Sequence, residues 1–462
     1  MKLQAGCRSG SRVHDWLRGS QSWMRLPAVL NVKERGNVAL QFPDDLLVDS
    51  VNVAKRLEDA TNAKTYILGD TSYGSCCVDE IAAEHVKANV LVHYGRACLS
   101  PCTRLPVSYV FGRKAVDVDL CAKTFQTQYP DHEIHVVVLC DVVYGHAIDE
   151  LENLIRPEYP NVCFSKLTSL GKESSSQEIC KFGRRFSPDL SLWPEAYSFF
   201  YVGSEGSSLS NFMLTWPRCA FFSFNPDTGE GRTEGLHVNR ALMKRFYLIE
   251  KARDAHVVGI LVGTLGVSDY LSALKHLKDI IKLAGKKSYI LAMGKLNPAK
   301  LANFPEIDVF VLVACPENSL FDSSGYYRPV VTPNEMEIAC NPAREWLGCC
   351  ITDFRELLPG GSAFVKFPEI DPSDADCTDV SLITGELRSS RFTVADTLKD
   401  DPGAFLVQRN SNTALSSVGP AATFLASRSW NGLDKALGQT PVMKAVEGRR
   451  GIAIAYEDEI SS

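Results

Sequence analysis

From Tyr66 to Cys102 the chain reads YILGDTSYGSCCVDEIAAEHVKANVLVHYGRACLSPC, two short apolar runs that each break into a loop carrying cysteine. Short apolar runs bounded by Gly, Ser and Pro read as buried strands. The first loop holds the vicinal pair Cys76 and Cys77, the second holds Cys98, and a third run, Val309-Phe310-Val311-Leu312-Val313-Ala314, ends on Cys315 with Pro316 behind it. Ligands of open α/β sheets sit beyond the carboxyl ends of strands, which is where these cysteines fall. Thiolates gathered from separate strand ends read as a metal or iron–sulfur site. Inert buried thiols are the competing reading and, on the residues alone, the larger one.

The strands recur at a fixed spacing. Asn37–Phe42, Lys64–Gly69 and Ala88–Tyr94 are apolar runs separated by helix-like segments at Leu46–Ala60 and Val78–Lys87, a β-α-β-α-β order. Ala255–Gly263, Ser288–Ala292 and Ile307–Ala314 repeat it, with a periodic helix at Asp269–Ala284. Tyr66-Ile67-Leu68 and Tyr289-Ile290-Leu291 correspond, so Cys98 and Cys315 end matching strands of two copies. A fainter middle copy uses Glu133–Leu139, Tyr197–Val202 and Cys219–Phe224, with Ile148–Ile155 helical. Continuous apolar strands alternating with helices imply parallel sheets covered on both faces. The expected fold is therefore α/β, three Rossmann-like lobes by internal triplication around a central site. The lobes are placed at 37–125, 126–250 and 251–387, after a basic leader at 1–36. Ser165–Ser187 and Ser204–Ser210 read as loops, as does the acidic stretch Pro368–Asp379. Residues 388–420 lack an apolar period and read as a disordered linker, followed by a tail at 421–462 with ordered stretches at Ala421–Asp434 and Gly448–Glu459.

Composition removes several function classes. Net charge is −6 and the isoelectric point near 5.9, and no window clusters Lys and Arg with aromatics, which argues against nucleic acid. No apolar run approaches the roughly 18 residues of a membrane span. Fifteen cysteines, an odd number without compact spacing, fit reduced thiols in the cytoplasm better than a disulfide framework.

Local motifs exclude more than they include. No G-x-x-x-x-G-K-[ST] or G-x-G-x-x-G occurs, so nucleotide hydrolysis loses its support. Gly263-Thr264-Leu265-Gly266 is the nearest approach to an anion-binding turn. His93, five residues before Cys98, sits inside an apolar strand and reads as a core histidine rather than a catalytic base. Paired C-x-x-C zinc knuckles are absent, and Leu105 stands where the third cysteine of a C-x-x-x-C-x-x-C motif beginning at Cys98 would fall. A cluster assembled from distant loops needs no local motif and leaves one iron open when three cysteines hold it.

GDTSYGSCCVDEIAAEH, VHYGRACLSP, RDAHVVGILVGTLGV, LANFPEIDVFVLVACP, RPVVTPNEMEIAC and the closing GRRGIAIAYEDE together resemble the eukaryotic diphthamide biosynthesis family, over roughly residues 37–462. Within it the resemblance is to the second-subunit branch of a 3-amino-3-carboxypropyltransferase heterodimer. The resemblance implies a [4Fe–4S] cluster on three cysteines in the central cavity. It carries the ligands onto Cys98, Cys315 and one of the vicinal pair, Cys77 before Cys76, and leaves Cys102, Cys340, Cys349 and Cys350 as bystanders. In that family the catalytic chain cleaves S-adenosylmethionine and transfers the 3-amino-3-carboxypropyl group to a histidine of translation elongation factor 2, drawing one cysteine from each lobe. Here the middle lobe offers Phe182-Gly183-Arg184-Arg185-Phe186 in place of a cysteine.

The expectation is an accessory subunit with no catalytic residue of its own and S-adenosylmethionine bound mainly by the partner. Its cluster would help to reduce that of the catalytic chain. Elongation factor 2 and a small iron-binding electron donor complete the expected partners. A purely structural partner with inert cysteines and a self-sufficient homodimeric transferase are the rivals.

Overall fold

The computed structural model describes residues 36–61, 63–69, 74–168, 178–368, 378–385, 387–389, 451–452 and 455–456. The leader, the linker from residue 390 on and Ala421–Asp434 lie outside them. The chain divides into two compact units, Met1–Asp401 and Pro402–Ser462. In the second, Gly451–Ile452 pairs antiparallel with Ala455–Tyr456.

The first unit contains three sheets of parallel strands. In the first, β1 (Asn37–Gln41), β2 (Lys64–Leu68), β3 (Val90–Tyr94) and β4 (Val107–Val110) lie in the order β2-β1-β3-β4, all parallel. Helix α1 (Ser50–Thr61) joins β1 to β2 and α2 (Glu80–His85) joins β2 to β3, the latter capped by the Asp79 carboxylate, which accepts the Ala82 N–H. The second sheet follows α3 (Val118–Gln128). It takes β5 (His135–Cys140), then, after α4 (Ile148–Ile155), β6 (Val162–Phe164). A small antiparallel sheet intervenes, made of β7 (Lys166–Leu167), β8 (Ile179–Lys181) and β9 (Arg184–Phe186). Then β10 (Tyr197–Val202), α5 (Ser207–Thr215), β11 (Phe221–Asn225) and β12 (Glu230–Glu234) complete the order β12-β11-β10-β5-β6, with only β12 antiparallel.

Helix α6 (Leu236–Asp254) leads to the third sheet, β13 (Val257–Val262), β14 (Lys287–Ala292), β15 (Val309–Val313) and β16 (Val330–Val331), in the order β14-β13-β15-β16. Its helices are α7 (Tyr270–Leu283), α8 (Pro298–Ala302) and α9 (Pro333–Cys340). In each of these three parallel sheets the first strand is flanked by the second and the third, so β1, β5 and β13 are equivalent, as are β3, β10 and β15. Every residue of β13 and β15 is buried, as strands covered on both faces require, whereas the edge strand β14 is half exposed.

Three differences from the sequence reading have physical causes. Ser204–Ser210 does not stay a loop: α5 begins at Ser207 and buries Ser208, Leu209, Asn211, Phe212, Met213 and Leu214. A helix buried nearly all round has no amphipathic stripe to read. Part of Ser165–Ser187 forms the small antiparallel sheet, whose strands are too short for an alternation to show. Phe182–Phe186 therefore belongs to the β8–β9 hairpin and is not the middle equivalent of the Cys98 and Cys315 loops. That place, after β10, is held by Gly203-Ser204-Glu205-Gly206.

The sheets meet through close backbone contacts. Gly183, at φ +70° in the β8–β9 turn, lies so near Leu99 that a Cβ would come within 2.5 Å of the Leu99 Cβ. Gly266, in the turn after β13, faces the Val78 carbonyl of the first sheet, whose oxygen a Cβ would overlap. Through these contacts the cysteine loops join the apolar core of the third sheet, where Cys76, Cys77 and Cys98 pack with Val262, Val267, Val313 and Cys315.

The Val78 carbonyl is backbone and cannot swing aside, so Gly266→Ala is expected to destabilise the protein by about 1–3 kcal/mol, as overpacking does. Gly325→Ala, which meets nothing within 4 Å, should change stability by less than about 0.5 kcal/mol. Urea unfolding of the two variants checks the contrast.

Candidate metal centre

Cys76 and Cys77 lie between β2 and α2 in a loop that Gln41 holds from the end of β1. The Gln41 amide donates to the Cys77 carbonyl at 2.7 Å and its oxygen accepts the Asp79 N–H at 2.9 Å. The Cys77 N–H donates back to the Gly74 carbonyl at 3.0 Å, closing a turn, and the Cys98 N–H donates to the Cys76 carbonyl at 3.0 Å. Cys315 ends β15, and the Asn318 N–H returns to its carbonyl at 3.0 Å as Pro316 starts a short 3-10 turn.

Four sulfurs converge. The Sγ atoms of Cys76, Cys77, Cys98 and Cys315 all lie within 4.8 Å of one another, and all four residues are buried. Cys76 and Cys315 are separated by 3.7 Å, and Cys77 and Cys98 by 4.0 Å. Both members of the vicinal pair reach the group, where the resemblance implied a single ligand from the two. Alternation belongs to a strand, but this pair sits on a turn, which lets both sulfurs reach the same place. Polar neighbours add to the group: the Asn318 amide donates to the Cys76 sulfur at 3.1 Å, and the Ser100 hydroxyl lies 3.3 Å from the Cys98 sulfur.

Crowding separates the protonation behaviour of the four thiols. Cys98 is held well below the ordinary thiol range, first by the thiol of Cys315 and then by those of Cys76 and Cys77, whose sulfurs crowd around its own. Cys315 is pushed well above the range by its contacts with Cys76, Cys77 and Cys98. Cys315 draws Cys76 and Cys77 down, but Cys98 and burial outweigh it and both finish raised. The group thus stabilises one thiolate among three protonated neighbours. Thiolates are the metal-binding form, so an ion or cluster entering here displaces the remaining protons.

The other cysteines behave differently. Burial pushes Cys102, Cys340 and Cys350 up to about 12, and neither these nor Cys349 join the sulfur group. Cys340 closes α9, and Cys102 lies against Tyr109 at 3.9 Å. His93 is buried in β3, with Nε2 3.1 Å from the Arg96 carbonyl, and burial lowers its pKa, as for a core histidine. The Gly263–Gly266 turn is not open to an anion, because the Val78 carbonyl packs against Gly266.

Residues that the sequence did not single out hold the loops together. Arg96, two positions before Cys98, pairs with Glu317, two positions after Cys315, through Nη2 and, at 2.9 Å, through Nε. Arg96 also donates to the hydroxyls of Ser207 and Ser208 on α5, at 3.0 and 2.8 Å. Ser208 donates to the Glu317 carboxylate at 3.0 Å, and Asn211 to the Glu317 carbonyl at 2.9 Å. The first and third sheets are clamped on a helix of the second. The only sequence signal is a charge two residues from each cysteine, with its partner more than two hundred positions away.

The electrostatics give a direct expectation for metal-free protein kept reduced. Thiolate absorbance followed against pH should show one step below the ordinary cysteine range, absent in Cys98→Ser and retained in Cys340→Ser. A first step unchanged by Cys98→Ser would contradict the crowding described.

Residues 42–350 match the family model Diphthamide_syn, which describes diphthamide synthesis proteins. The chain is 79% identical over 425 residues to the 2-(3-amino-3-carboxypropyl)histidine synthase subunit 2 of Xenopus laevis, covering 92% of this chain and 89% of the relative. It is 57% identical over 438 residues to the protein of the same name from Danio rerio, covering 91% and 88%. Among solved structures it is similar in fold to Dph2 from Pyrococcus horikoshii with a 4Fe-4S cluster, at 23% identity and a TM-score of 0.55, covering 73% of this chain and 94% of that one. By the extent of these matches, and with the three-sheet α/β fold to support them, the chain belongs to the diphthamide synthesis protein family.

Proposed function

We propose that this chain is the accessory iron–sulfur subunit of an enzyme that transfers a 3-amino-3-carboxypropyl group from S-adenosylmethionine to a histidine of translation elongation factor 2. The observation that carries the reading is the buried group of four thiols drawn from three strand-end loops. The subunit number in the relatives' name supports a second chain, and the 4Fe-4S cluster of the Pyrococcus horikoshii protein supports the cofactor. Cys98 and Cys315, with Cys77 or Cys76, would hold a [4Fe–4S] cluster. When bound, such a cluster supplies one-electron transfer, here toward the cluster of the catalytic partner.

The protein's own residues do the remaining work. The core of the third sheet keeps water from the sulfurs, and Gln41 and the Arg96–Glu317 pair fix the loops that carry them. No cysteine follows β10, where the middle sheet would supply one, and this absence supports an accessory role with S-adenosylmethionine bound mainly by the partner. We assign the lobes to 37–125, 126–250 and 251–387. The further partners are elongation factor 2 and a small iron-binding electron donor. All the described cysteines are free, which suits the cytoplasm, and no helix among the described residues is long and apolar enough to cross a membrane.

One observation favours a second reading. Zinc–sulfur bonds of about 2.3 Å in a tetrahedron put sulfurs about 3.8 Å apart, close to the 3.7 and 4.0 Å seen here. A four-iron cluster needs wider spacing, so the loops would have to spread to take it. Analysis of protein purified without oxygen separates the readings: the proposal requires iron and acid-labile sulfide, whereas stoichiometric zinc without sulfide would replace it. Cys98→Ala or Cys315→Ala should abolish the visible sulfur-to-iron absorption with helix content unchanged, and Cys340→Ala should leave it intact.

The accessory role has its own test. The isolated chain should not modify elongation factor 2, and robust transfer without a partner would overturn it. A heterodimer carrying Cys98→Ala here should keep much of its activity with dithionite, which reaches the partner's cluster directly, and lose it with a weaker protein donor. Equal loss under both reductants would point to a structural or directly catalytic site.

A further inference from the structure

Among the four sulfurs, that of Cys76 receives a side-chain N–H: Asn318 Nδ2 lies 3.1 Å away. Asn318 belongs to the short turn that follows Cys315, and its own N–H is spent on the Cys315 carbonyl. The turn therefore fixes Asn318 relative to one cysteine and aims its amide at another. Gly74 opens the space, since a Cβ there would overlap the Asn318 nitrogen and stand 3.8 Å from the Cys76 sulfur. An amide N–H stabilises a sulfur in proportion to the negative charge it carries, so the contact strengthens when an electron is added to a metal group bound at that sulfur.

We propose that Asn318 is a positioning and tuning residue for this centre. Its amide holds the Cys76 sulfur as a ligand and raises the reduction potential of the bound cluster. The inference rests on the iron–sulfur reading and deepens it, because it assigns a task to each of the vicinal pair. Cys76 is the ligand under hydrogen-bond control, and Cys77, whose carbonyl is tied to Gln41, anchors the loop from the sheet side. A relay toward a partner cluster depends on the potential of its own centre, and Asn318 is where the sequence can adjust it without changing a ligand.

The test is a redox titration of the anaerobically reconstituted full-length protein, followed by the electron spin signal of the reduced cluster. Asn318→Leu removes the donor at similar size, and Asn318→Asp replaces it with an acceptor carrying negative charge. Both should keep wild-type iron and sulfide content and shift the midpoint potential downward, Asp at least as far as Leu. Cys76→Ser should alter the reduced-cluster signal, as a change of ligand does. An unchanged potential in both Asn318 variants at full iron content would overturn the proposal. Folded variants that hold less than half the wild-type iron would also overturn it, making Asn318 a strut of the loop and nothing more. If wild-type protein takes up zinc and no sulfide, the iron–sulfur reading itself fails, an outcome distinct from either.

Discussion

Folding takes the Glu317 carboxylate out of water, and a buried carboxylate is tolerated only beside a cation and hydrogen-bond donors. Arg96 and Ser208 supply both, and in doing so they settle where three separate parts of the chain must lie. Arg96 comes from the loop that carries Cys98, Glu317 from the turn after Cys315, and Ser208 from a helix of the middle sheet. The guanidinium is only half buried, so its desolvation costs less than the carboxylate's, and its donors are divided between Glu317 and two serine hydroxyls. The convergence of thiols depends on this clamp, since neither cysteine loop has a regular ladder of its own beyond its strand end.

Around that clamp the division of labour between the sheets becomes clear. The first sheet gives three cysteines and the third gives one, together with most of the apolar core on which they rest. The second sheet gives none to the group. It contributes Ser207, Ser208 and Asn211 from α5, while the small antiparallel sheet beside it contributes the Gly183 turn that seats Leu99 next to Cys98. In the same hairpin the buried Arg184 donates to the Cys140 carbonyl at 3.1 and 3.0 Å and lies over the Phe212 ring. The middle copy of the repeat thus supports the site without supplying sulfur to it. A triplicated fold tolerates this because the strand order, not the loop chemistry, preserves each lobe.

Much of the architecture was legible because the strands next to the site are buried on both faces. Continuous runs such as Val309–Val313 leave few alternatives, and α7, with one apolar stripe, was readable to within a residue at each end. The middle region was harder for physical reasons. Helix α5 is buried nearly all round and so lacks a stripe, and α6 exposes Met243 and Tyr247 amid its charges, which blurs its period. The strands from 166 to 186 are two or three residues long, below the length at which alternation carries information.

The sequence alone determined that cysteines stand at the ends of equivalent strands, since strand periodicity and a Pro or Gly at each boundary are local properties. It also determined that parallel sheets would carry them. Only the tertiary structure decided that both members of the vicinal pair face the same point, because a turn overrides the alternation that a strand would impose. Tertiary structure alone likewise paired Arg96 with Glu317 and aimed Asn318 at Cys76. Those contacts join positions more than two hundred residues apart, and no local pattern of residues encodes a distance that exists only once the sheets have packed.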